Sequence, residues 1–170
     1  LGASKAAREG EKPRNLRQYI KVDIVYKLIV HNDAGADLKE IAQHDKETAA
    51  KLGRFIRQLQ ADQDLLDRLS RIDFGGRPNR PQPRNAKFNI KMWGALQDVG
   101  YNLWRLRAYF DEALPYRFVY AFFPPAVYVL LAIVEKADDD NSEDERFNYE
   151  PNHPISDRIK RAFRSLEDQY

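Results

Sequence analysis

Arg105, Arg107 and Tyr109 recur at every second position of residues 103–110, alternating with Trp104, Leu106, Ala108 and Phe110. That two-residue period is the signature of a half-buried strand, with the cations and the tyrosine on one side. Arg117 stands in a second alternating run, residues 116–122, behind a short turn at residues 111–115. If that turn pairs Phe110 with Tyr116, Tyr109 lies opposite Arg117 and Arg107 opposite Val119, so all four side chains share a face. A guanidinium fork binds phosphate oxygens two at a time, so such a face is suited to an anion. Cations this close repel one another. A fold accepts them on a surface that receives an anion, or on a wet outer face where each is paired with a local carboxylate, and the pattern fits both.

The elements that must hold these residues are legible on either side. Residues 127–134 are apolar at every position and belong inside a sheet. Residues 25–31 read as an opening strand, after which Asn32 or Asp33 caps a short helix with Ala34, Leu38, Ile41 and Ala42 on its buried stripe, ending near His44. Asp45 caps a second helix whose Leu52, Phe55, Ile56, Leu59, Leu66 and Leu69 keep helical spacing up to Ser70. Residues 75–85, with three prolines and two glycines, read as an exposed basic loop. Residues 87–99 resume as a strand, plain or bulged, and Pro154 or Ser156 starts a last helix carrying Ile155, Ile159, Phe163 and Leu166. The expected fold class is α+β: a mostly antiparallel sheet, an N-terminal helical hairpin packed on one face, and a C-terminal helix. The opposite face is expected to stay open for the arginines.

Composition sets the bounds. The 170 residues suffice for one domain, residues 23–170, preceded by residues 1–22, which carry six Lys/Arg and two Glu and read as a flexible basic arm or a tag-derived segment. The initial Leu-Gly is not a natural start. No cysteine is present, which excludes disulfides, zinc–thiolate sites and thiol nucleophiles. No apolar run is long enough for a membrane span, and without a signal-peptide pattern the expected location is cytoplasmic. The net charge of +2 conceals segregation, since residues 71–110 hold eight Lys/Arg and two acids whereas residues 135–150 hold eight acids and two bases. A basic stretch of that density suits a polyanionic partner. The acidic residues 138–145 read as a solvated loop whose spacing matches no cation-binding loop.

Order and motifs together resemble the RelE/ParE superfamily of bacterial toxins, the toxic halves of type II toxin–antitoxin pairs. The carriers are the strand at residues 25–31 leading into a helical hairpin, Leu103-Trp104-Arg105-Leu106-Arg107, Tyr116-Arg117-Phe118-Val119-Tyr120, and the strand from Val127 ending in Lys136. The resemblance implies a RelE-like fold, the ribosome, mRNA and a cognate antitoxin protein as partners, assembly with that antitoxin, and no cofactor, metal or membrane. For the ribosome-dependent branch it implies mRNA cleavage by the neighbouring 2′-hydroxyl. Arg117 would then hold the scissile phosphate, with Arg105 assisting. Tyr149 and His153 are the candidates for proton transfer. The RNA-binding set is Arg107, Tyr109, Arg77, Arg80, Arg84, Lys87, Lys91 and Lys136. His31 and His44, at element ends, are read as structural. The acids that follow Lys136 depart from the family's basic pattern, so either that loop folds away or the target is lost or changed. Two alternatives stand beside the nuclease: a ParE-like gyrase inhibitor that binds without catalysis, and an inactive member that binds only an antitoxin.

Overall fold

The computed structural model describes residues 23–138, 144 and 146–170. The basic arm, residues 1–22, and residues 139–143 and 145 of the acidic loop lie outside the described residues. The main sheet has five strands in the order β1 (Lys27–Val30), β7 (Val127–Glu135), β6 (Tyr116–Phe123), β5 (Leu103–Ala108) and β4 (Phe88–Met92). All neighbours are antiparallel except β1 with β7, whose parallel pairing is possible because the long connection between them includes the helical layer.

Helices α1 (Asn32–His44) and α2 (Lys46–Gln60) form the expected hairpin and cover one face. Their caps explain where they start. Asp45 accepts the Thr48 amide at 3.0 Å and the Thr48 hydroxyl at 2.8 Å, as its sequence position suggested. The cap of α1 is His31, whose Nδ1 accepts the Asp33 amide at 3.1 Å, and Asn32 and Asp33 are already helical. The second helix is shorter than the apolar spacing indicated. Asp62 interrupts it, drawing the amides of Asp64 and Leu65 onto its own carboxylate at 3.0 and 3.1 Å and starting α3 (Gln63–Arg68). The turn still buries Leu66 and Leu69 in the core that holds Leu52, Ile56 and Leu59. Each such side chain contributes roughly 1.5–3 kcal/mol when removed from water.

Most of the expected loop, residues 75–82, is a hairpin, and residues 83–85 bend and turn after it. Strands β2 (Gly75–Arg77) and β3 (Arg80–Gln82) make a separate two-stranded ribbon, in which half the backbone donors need no ladder partner, so Pro81 is tolerated within a strand. The stretch 87–99 supplies β4 and then a single helical turn, α4 (Gly94–Gln97), where a strand throughout was expected.

The second sheet face is not open. Leu103, Val119, Ala121, Phe123, Val129 and Leu131 make it strongly apolar, and they are buried beneath α5 (Pro154–Leu166), Trp93 and Phe147. The apolar half of this face demands a cover, which the stripe of α5 provides through Ile159, Ala162 and Phe163. Asp37 of α1 ties the layers together at the edge of β7, with both oxygens 2.8 Å from the Arg158 guanidinium of α5 and one oxygen accepting the Ile133 amide at 2.9 Å. Among the described residues no helix is long and apolar enough to cross a membrane.

Candidate anion-binding site

The site occupies the part of the α5-covered face that the apolar core leaves over. Arg105 and Arg107 fall in step with Leu103 on β5, and Arg117 with Val119 on β6, so all three guanidinium groups point to that face, as the period-two reading required. The register differs from the expected one by two residues. Arg105, not Arg107, lies opposite Val119, and continuing the ladder brings Arg107 level with Arg117. The cause is a wider connection: a 3-10 turn at Asp111–Ala113, closed by Ala113 N–H to Phe110 O at 3.0 Å, leaves Tyr109 and Phe110 outside the pairing with β6. An even shift preserves the face.

Tyr149 is the residue around which the cations gather. It follows Phe147, which is fully buried and bridges to Lys136 just after β7, and its backbone carbonyl accepts the Trp93 indole N–H at 3.2 Å. The rings of Trp93 and Phe147 lie 5.5 and 4.6 Å from its ring, centre to centre. Its φ of 62° places a non-glycine residue in the left-handed region, a strained conformation that such packing must maintain. Burial pushes the hydroxyl up to about 12, against the opposing pull of Arg105, Arg117 and Arg107, so at neutral pH it is a proton-bearing donor. That hydroxyl is buried and closes no hydrogen bond of full geometry among the described residues, although Arg117 is near enough to favour its ionised form. Lys136 adds a fourth cation, its Nζ 5.9 Å from the centre of the Tyr149 ring.

Each arginine is held differently. Arg117 donates through Nη1 to the carbonyls of Leu114 and Tyr116 at 2.8 and 2.9 Å, which ties it to the end of the 3-10 turn. Arg105 donates to the side-chain oxygen of Asn89, and burial lowers its pKa, offset by Tyr149. Arg107 has its Nε buried without a partner among the described residues. Neither Arg105 nor Arg107 forms an ion pair within the described residues.

Several residues lie elsewhere or act differently. His153 caps α5, its Nδ1 accepting the Ile155 amide at 3.1 Å, and its ring meets Phe147 edge-on at 5.7 Å. A neutral ring that accepts at Nδ1 carries its proton on Nε2. Tyr109 is half-buried and gives its hydroxyl to the Gly75 carbonyl at 2.8 Å. Arg77 and Arg80 on the hairpin, Arg84 in the turn after it, and Lys87 and Lys91 around β4 are all exposed. His31 is the cap of α1 and His44 its last residue, both at element ends as expected.

Asn89, Trp93 and Phe147 were not singled out by sequence reasoning. For Asn89 the signal was present, a polar residue alternating with Phe88 and Ile90 on the same side as Lys91; for Phe147 none existed, since it follows the acidic run. Among the described residues no group of three or more His, Asp or Glu is placed to hold a metal ion. No protein-family model, curated protein or solved structure matches the chain.

Proposed function

We propose that the chain is a toxin of the RelE/ParE kind and cleaves mRNA on the ribosome by attack of the 2′-hydroxyl on the adjacent phosphodiester. The observation that carries this reading is the convergence of Arg105, Arg107 and Arg117 on the buried hydroxyl of Tyr149. Such donors are worth most where charge develops on phosphorus-bound oxygens in a water-poor site. Arg117 and Arg107 grip the non-bridging oxygens. Tyr149, protonated at neutral pH, supplies a proton to the leaving 5′-oxygen as the phosphorus–oxygen bond breaks, which leaves a 2′,3′-cyclic phosphate and a 5′-hydroxyl. His153 takes the 2′-proton at the expense of its cap. The exposed hairpin cations contact ribosomal RNA, Tyr109 borders the mRNA, and a cognate antitoxin masks the surface in a cytoplasmic complex.

The commitment of His153 to capping favours a second reading, a ParE-like protein that binds gyrase through the same cations and has no base to catalyse anything. Purified protein added to a translating extract separates the two. The nuclease reading expects mRNA cut within the decoding site, with cutting reduced at least about a hundredfold in Arg117→Ala at unchanged thermal stability. Intact mRNA together with inhibited supercoiling by gyrase supports the second reading instead.

A further inference from the structure

Asn89 lies on β4 opposite Arg107, is only 5% exposed, and is one of three buried polar residues among those described. Its amide is used at both ends. The side-chain oxygen accepts from Arg105 Nη1, and the nitrogen donates to the Gly76 carbonyl at 3.1 Å. The orientation is chemically forced, because a guanidinium only donates and a carbonyl only accepts. Next to it Tyr109 donates to the carbonyl of Gly75, so two consecutive carbonyls of β2 are pinned to the arginine-bearing layer. The root of the hairpin has little room to move. Gly75 and Gly76 have φ of 100° and 70°, a Cβ on Gly75 would run into the Phe88 carbonyl, and one on Gly76 would come within 2.6 Å of the Arg80 carbonyl.

We propose that Asn89 is a positioning residue that aims Arg105 at the anion site and couples that arginine to the base of the β2–β3 hairpin. An asparagine suits this task for a stated reason. It satisfies the half-buried guanidinium without neutralising it, whereas an aspartate would cancel its charge, and so leaves the full charge of Arg105 for a phosphate. Through the same amide, an anion that draws Arg105 forward pulls on Gly76 and hence on the strand that leads to Arg77 and Arg80. The hairpin and the site therefore respond to a polyanion together. This inference rests on the reading of the arginine cluster as an anion receptor, and not on cleavage.

Inorganic phosphate binding by the full chain tests it, measured calorimetrically for the unaltered protein, Asn89→Leu, Arg105→Ala and the double variant. Asn89→Leu is expected to weaken phosphate binding about tenfold, and to have no further effect once Arg105 is alanine. Amide signals of Gly75 and Gly76 are expected to move with phosphate in the unaltered protein and to stay still in Asn89→Leu. Asn89→Asp, which keeps the volume and the acceptor, should fold and bind phosphate at least as weakly as Asn89→Leu. Binding by both variants within about twofold of the unaltered protein overturns the proposal. So does a loss that persists undiminished in the Arg105→Ala background, or an unaltered protein that binds no phosphate. Uncut mRNA with phosphate binding and its coupling intact defeats the nuclease reading alone.

Discussion

Among the described residues the buried Tyr149 hydroxyl closes no well-formed hydrogen bond, and a buried donor so weakly met costs about 1–3 kcal/mol. Its left-handed backbone is a second cost, which the surrounding packing must maintain. A site of this kind trades stability for readiness to bind. Tyr149→Phe is therefore expected to raise the unfolding free energy by about 1 kcal/mol while lowering phosphate affinity several-fold, a pair of opposite changes read by urea titration and calorimetry. If the variant loses stability instead, the hydroxyl has a structural partner and the receptor reading of the site fails. The sequence placed Arg105, Arg107 and Arg117 on one face because a two-residue period survives any even shift of register. It could not show that Tyr149 sits among them, since nothing local says where a residue beyond an acidic loop returns to the sheet.

Between elements, the Asp37–Arg158 pair is the clearest structural joint. Asp37 is 12% exposed and satisfies an edge amide of β7 as well as a guanidinium from the opposite layer, so removing it strands two donors at once. Asp37→Ala is expected to cost about 2 kcal/mol, since breaking this half-buried pair leaves a guanidinium and an amide without their acceptor, and to leave phosphate affinity unchanged. Urea unfolding and the phosphate titration check the two halves of this expectation. Helix positions were legible from apolar spacing, and the Asp45 cap was legible from its residue type. The break at Asp62 and the β2–β3 ribbon were not. In both places a side chain or a glycine offers the backbone a local alternative, and only packing decides which option is used.

For the molecule as a whole, buried tyrosines set an alkaline limit. Tyr128 and Tyr149 are both pushed up to about 12 by burial, and Tyr120 is raised for the same reason. The folded state thus keeps these protons where the unfolded chain, with tyrosines near 10, gives them up. Their contribution is whole below about pH 10 and is lost as pH rises toward about 12, by roughly 2–3 kcal/mol for a shift of about two units. Urea titrations at about pH 9 and about pH 11.5 should show that loss, and Tyr149→Phe should reduce it. The α+β architecture, the strand alternation and the segregation of charge were determined by the sequence itself, because each follows from residue type and short-range period. The covered second face, the two-residue register shift, and the meeting of Asn89, Tyr149 and three arginines at one place were decided by tertiary structure. They depend on which apolar surfaces close over which others, and contacts of that kind, between residues as many as 56 positions apart, are written in no local pattern.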